Sequence, residues 1–268
     1  MKGSEIMKYS CCIGLTPDRL ETLKKYGYSG YETGFSGLTN APDERIIAMK
    51  EASDALGMPC VSHNGMFPAE IDLLAGPDGY SAISEYLEKT IEKAARLGSP
   101  IVVLGSGRSR NVKNGVSIGK ANEIFVNMLK DVVTPWARKH GISVAIEELQ
   151  RSETNFINSC REAMEIVRAV DEPEIGLLID YFHATMGGDK LIEMVGYGSS
   201  ILHVHMASPK NARRFPNIDD VGDCRSFFAA LKKAGYNGFV SLEGSDGGNF
   251  ESALAEAISV MKEAEKMF

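Results

Sequence analysis

The sequence predicts an α/β protein built as a (β/α)8 TIM barrel, and three observations lead there. Apolar strand-like runs alternate with amphipathic helical runs along the chain, eight of each. Strict alternation implies a parallel sheet whose crossovers are helices, and eight such units close a barrel. The length of 268 residues fits the roughly 250 that such a barrel requires, so one domain over residues 1–268 is expected. A doubly wound open sheet is the structural alternative. It normally carries a Gly-rich phosphate turn after its first strand, and Gly14-Leu15-Thr16-Pro17 is not one.

The first strand is expected over Tyr9 to Leu15, with a helix over Asp18 to Tyr26. The second is Gly30 to Thr33, followed by a helix over Asp43 to Leu56. The third is Pro59 to His63, with a helix over Tyr80 to Leu97. The fourth is Ile101 to Gly105, with a long helix over Lys120 to Lys139. The fifth is Ile142 to Glu147, with a helix over Cys160 to Val170. The sixth is Gly176 to Asp180, with a short helix near Lys190 to Val195. The seventh is Ile201 to His205, with a helix over Gly222 to Ala234. The eighth is Gly238 to Glu243, and the last helix covers Phe250 to Lys266.

A composition of 44% hydrophobic and 24% charged residues is ordinary for a soluble globular protein. The 29 basic and 36 acidic residues leave a net charge of -7. Binders of a phosphate backbone present a net basic face, so no nucleic-acid partner is expected. No apolar run reaches the roughly 18 residues of a membrane span. The N-terminal MKGSEIMKYS has no apolar segment of a secretory signal. The cysteines Cys11, Cys12, Cys60, Cys160 and Cys224 are odd in number and match no zinc spacing. Free thiols in a reducing cytoplasm are therefore expected.

Function in a barrel sits at the C-terminal ends of its strands. Strand two ends near Glu32, three at His63, five at Glu147, six at Asp180, seven at His205 and eight at Glu243. Side-chain alternation places Val144 and Ile146 outward and Glu147 inward. It likewise puts Leu177 and Ile179 outward with Asp180 inward. Leu202 and Val204 face outward with His203 and His205 inward, and Val240 and Leu242 outward with Glu243 inward. Glu147, Asp180, His205 and Glu243 thus converge from four consecutive strands. Three carboxylates in one partly buried mouth repel each other. A divalent cation held by three oxygens and one imidazole offsets that repulsion. The oxygens favour Mn2+, Mg2+ or Co2+, and the imidazole keeps Zn2+ compatible. The competing explanation is an ion-pair network with Arg and Lys, or shared protons.

These residues resemble the sugar isomerase/epimerase family with the xylose isomerase-like TIM barrel, over Tyr9 to Phe268. That family includes ketose 3-epimerases, hydroxypyruvate isomerases and inosose-processing enzymes. Glu147-Glu148-Leu149-Gln150-Arg151 resembles its Glu-Pro-Leu-Asn-Arg stretch, departing at Glu148 and Gln150. Asp180-Tyr181-Phe182-His183 matches its Asp-x-x-His, and His203-Val204-His205 its strand-seven pattern. Glu243-Gly244 matches its last metal-binding glutamate. The resemblance implies one divalent ion on Glu147, Asp180, His205 and Glu243. It makes Glu147 and Glu243 the base and acid, and puts His183 near the substrate. An Arg of the following loop grips substrate in sugar epimerases; Lys210, Arg213 and Arg214 all lie in that loop. Glu32 resembles the strand-two Glu that supports a substrate-binding His, and His63 falls at a substrate-side position.

The implied chemistry is proton abstraction next to a carbonyl, through an enediolate, on a small ketose or keto-polyol. The resemblance also implies a homodimer or homotetramer. Dehydration of an inosose begins with the same proton removal and is the main alternative. A phosphodiesterase resembling endonuclease IV would need more His and Asp ligands than this chain's five histidines supply. A non-catalytic sugar-binding barrel would be expected to have a broken ligand set.

Overall fold

Eight parallel strands form a nearly closed barrel in the computed structural model, which describes residues 7–266. They are β1 (Lys8–Cys11), β2 (Tyr31–Gly34), β3 (Cys60–Asn64), β4 (Ile101–Leu104), β5 (Ser143–Glu147), β6 (Ile175–Asp180), β7 (Ile201–Met206) and β8 (Phe239–Leu242). Parallel pairing runs from β2 to β8 in chain order, through the single pair His63 to Val102 between β3 and β4, and β8 pairs with β1. Between β1 and β2 the ring closes through one isolated bridge, Cys12 to Glu32, and the bond from Ile13 N to Glu32 O at 2.9 Å. Part of the N-terminal leader reading (residues 1–6) and the end of the family resemblance (residues 267–268) lie outside the described residues.

The helices are α1 (Asp18–Tyr26), α2 (Phe35–Leu38), α3 (Asp43–Leu56), α4 (Tyr80–Leu97), α5 (Ile118–Met128), α6 (Thr134–His140), α7 (Cys160–Val170), α8 (Tyr181–Gly187), α9 (Leu191–Met194), α10 (Val221–Lys233) and α11 (Phe250–Glu265). Their apolar faces cover the sheet. In α4 the buried positions Ile83, Leu87, Ile91 and Ala94 recur at helical spacing. None of the described helices is long and apolar enough to cross a membrane.

Four departures from expectation have local causes. Strand one ends at Cys11 rather than Leu15, because only the bridge at Cys12 extends its pairing toward β2. The long helix contains a π turn, Leu129–Val133, before Pro135. Proline has no N–H to donate, and its ring crowds the carbonyl one turn back, so the widened turn accommodates it. Helices α2 and α8 were not expected; α8 is started by Asp180, whose side chain caps Phe182 and His183. Leu202 faces inward, not outward. The β6–β7 register jumps from Ile201 to His203, and the bulge turns Leu202 toward Val103, Ala145 and Leu178 on the barrel floor. Gly176 makes room for it, since a Cβ there would meet Leu202 Cγ at 2.5 Å.

The five cysteines are all free; Cys12 is half-buried and the other four are buried.

Candidate functional site

Glu147 ends β5, Asp180 ends β6, His205 lies on β7 and Glu243 follows β8. One donor atom from each lies within 4.8 Å of the others. His205 Nδ1 is 3.6 Å from Glu147 Oε1 and 3.3 Å from Glu243 Oε2. Three of these atoms, Glu147 Oε1, Asp180 Oδ2 and His205 Nδ1, are buried and have no hydrogen-bond partner. An unpartnered buried polar atom carries a penalty of about 1–3 kcal/mol. A divalent cation among them would satisfy all three, so the donor set fits such an ion.

The surrounding bonds aim these donors. Glu32, fully buried on β2, accepts from His205 Nε2 at 3.1 Å and His203 Nε2 at 2.5 Å. Ser62 Oγ donates to it at 3.2 Å. An ionised carboxylate only accepts, so Nε2 of His205 carries a proton, and Nδ1 is the ring atom turned toward the mouth. Asp180 Oδ1 accepts from the N–H groups of Phe182 at 2.7 Å and His183 at 3.2 Å, which leaves Oδ2 for the centre. Glu243 Oε1 accepts from Asn64 Nδ2 at 2.6 Å, and Oε2 from Arg213 Nη2 at 2.7 Å.

The charges respond to this crowding. Burial, then the charge of Glu243, pushes the Asp180 carboxyl up to about 6. Glu147 is also raised, by burial and by Glu243. Burial acts the same way on Glu243, but His205 and Arg213 overcome it and hold that carboxyl well below its usual range. Burial opposes charge on Glu32 too, and there His203 and His205 win. Burial would lower His205, yet Glu243 and Glu32 raise it well above an ordinary imidazole. The two glutamates flanking the centre are thus driven apart in acidity.

The other expected residues separate into two groups. His183 is buried beside the centre, with Nε2 3.9 Å from Asp180 Oδ2 and 3.8 Å from Glu153. Arg213 reaches in from the β7–α10 loop, 3.3 Å from Glu153 and 3.7 Å from Asp180, and lies over the Phe182 ring. Ala212 and Arg213 take φ of 51° and 59°, strained for residues with a Cβ. Gly244 lets that loop cross, because a Cβ there would strike the Arg213 carbonyl. Arg214 turns away instead, lining a groove with Phe215, Asn217 and Glu256. Lys210 pairs with Asp223 on the surface at 2.5 Å. His63 points out of the barrel, bonded to Thr33 O at 3.3 Å and packed edge-on to Phe35. Its neighbour Asn64 is the strand-three residue that reaches the centre. Glu32 lies one layer below the mouth rather than in it.

Two residues of the mouth went unforeseen. Strand alternation from Ser62 would have found Asn64. Glu153, six positions after Glu147, had only its charge as a signal, since its direction depends on the loop.

The chain is similar to several known proteins. It is 25% identical over 232 residues to a putative hydroxypyruvate isomerase of Mus musculus, covering 85% of this chain and 83% of that one. It is 23% identical over 234 residues to the 3-dehydro-D-guloside 4-epimerase of Escherichia coli strain K12, covering 85% and 86%. A solved L-ribulose 3-epimerase structure superposes with a TM-score of 0.81, covering 97% of this chain and 95% of that one at 16% identity. That last likeness speaks for the fold. The sequence profile of the xylose isomerase-like TIM barrel matches residues 20–264, and the chain belongs to that family.

Proposed function

We propose that the protein is a divalent-metal-dependent isomerase or epimerase of a small uncharged ketose or keto-polyol, removing a proton next to a carbonyl. The observation that carries this reading is the aim of Glu147 Oε1, Asp180 Oδ2 and His205 Nδ1, three buried unpartnered donors, toward one point. Glu243 would complete the set. Three oxygens favour Mn2+, Mg2+ or Co2+, with Zn2+ compatible through the imidazole. When bound, the ion supplies Lewis acidity toward adjacent substrate oxygens.

The chain's own groups do the rest. Glu147 and Glu243 approach from β5 and β8, so one can take a proton from one face of a carbon while the other delivers to the opposite face. His183, Glu153 and Arg213 stand around the same space to bind hydroxyls. An uncharged substrate fits best: four carboxylates face the mouth, and Arg213 is already bonded to Glu243 and Glu153. A substrate carboxylate would meet that negative field. The protein would act in the cytoplasm, as a homodimer or homotetramer.

The test follows candidate ketoses by NMR in D2O, with protein stripped of metal and then reloaded with Mn2+. The expected result is Mn2+-dependent deuterium uptake at a single carbon. Glu147→Gln and Glu243→Gln should each lose about 10³-fold or more in rate with the circular dichroism unchanged. Near-normal rates in both variants, or no metal binding, would overturn the reading. Loss of water instead of epimer formation would move the activity to dehydration of a keto-polyol.

A further inference from the structure

Arg110 is among the largest side chains with no exposure to solvent. It closes the single 3-10 turn, Gly107–Arg110, that follows β4. Its hydrogen-bond partners are three main-chain carbonyls. Nη1 donates to Leu104 O at 3.1 Å, and Nη2 donates to Glu147 O at 2.8 Å and Ile157 O at 3.3 Å; Nε has no partner. Burying a guanidinium against carbonyls alone is an expensive way to tie loops together. The location of those carbonyls makes sense of it.

Leu104 and Glu147 are the last residues of β4 and β5; Leu104 forms the final rung of their ladder, with Ile146, and Glu147 lies one residue beyond it, paired only with Leu178 of β6 on its other edge. On its β4 edge the ladder no longer holds Glu147, and the Arg110 guanidinium bridges the two strand ends there instead. Ile157 belongs to the loop between β5 and α7 and has a φ of 60°, costly for a β-branched residue. Its carbonyl accepts from Arg110 and from Leu149 N at 3.2 Å. The same β4 loop shapes the other side of Glu147. A Cβ on Gly105 would collide with Glu147 Oε2, so the carboxylate lies directly over the Gly105 main chain. Arg110 therefore grips the Glu147 carbonyl, and Gly105 opens the space its carboxylate occupies.

We infer that Arg110 is a positioning residue for Glu147. It fixes the end of β5 so that the carboxylate holds its place in the four-residue centre, and it sets a fixed positive charge behind a cluster of acidic groups. This rests on the function proposed above. Outer residues that orient metal ligands typically cost 10–100-fold in metal affinity or activity when changed.

The experiment compares wild type with Arg110→Lys and Arg110→Gln. Lysine keeps the charge without the planar fork, and glutamine keeps one donor without the charge. Mn2+ affinity is read by calorimetry, kcat and KM on the ketose found active, and thermal unfolding by circular dichroism. The expected result is a 10–100-fold weaker Mn2+ affinity and a matching fall in kcat in both folded variants, with KM moved less than threefold. Unchanged Mn2+ affinity and kcat with only a lower midpoint would reduce Arg110 to a structural tie and overturn the inference. So would recovery of both variants solely as insoluble protein. If wild type binds no Mn2+, it is the proposed function that fails, and that arm is read separately.

Discussion

At the scale of single residues, β3 shows how narrow the margin is between a site residue and a packing residue. His63 and Asn64 are neighbours on opposite faces of one strand. Histidine so often does chemistry, but this imidazole lies among Phe35 and the covering helices, while the amide beside it holds Glu243. Burial pushes the His63 imidazole down to about 4. The folded protein thus prefers it neutral, and as pH falls below about 6.5 the unfolded chain takes up the proton first. Stability is then lost down to about pH 4, by an amount on the order of 3 kcal/mol. His63→Phe removes that dependence. The expected outcome is that the stability difference between wild type and variant in urea shifts against wild type from pH 7 to pH 4.5; a constant difference would show that this histidine titrates normally. The four convergent donors were legible because each lies at or beside the C-terminal end of a strand, and alternation of period two gives its direction. Glu153 was not, and Arg213 was not separable from Lys210 and Arg214, because loop direction follows from contacts distant in sequence and from the strained φ angles of Ala212 and Arg213.

At the scale of elements, helix spans such as Asp18–Tyr26, Asp43–Leu56, Tyr80–Leu97 and Cys160–Val170 followed from apolar spacing, because packing on the sheet demands that spacing. The bulge at Leu202 did not. A one-residue slip leaves the pattern of apolar residues almost unchanged while reversing the face of one side chain. It can be tested through the glycine that accommodates it. Gly176→Ala should cost about 1–3 kcal/mol, because its Cβ would meet Leu202 Cγ at 2.5 Å and the Ser200 carbonyl at 2.8 Å. Adding Leu202→Ala should make the two effects markedly non-additive in denaturant unfolding. Simple additivity would mean the two side chains do not meet on the barrel floor.

At the scale of the whole molecule, the eight-unit count and the parallel order were readable from alternation alone, but the unevenness of the ring was not. Six strand pairs carry ladders of three or more residue pairs, β3 and β4 meet at His63 and Val102, and the eighth junction carries the bridge at Cys12 and Glu32. Amides at this junction, Ile13 among them, should exchange with deuterium faster than those of β5 and β6, which pair on both edges in the middle of the array. Equal protection around the ring would show that closure is uniform. The carbonyl that receives Ile13 belongs to Glu32, and the carboxylate of the same residue holds His203 and His205. The clasp of the barrel and the mount of the imidazole are therefore one amino acid. Strain that pries the ring open at this point acts on the residue that holds His205, so a cation bound there as proposed would sense whether the barrel is shut.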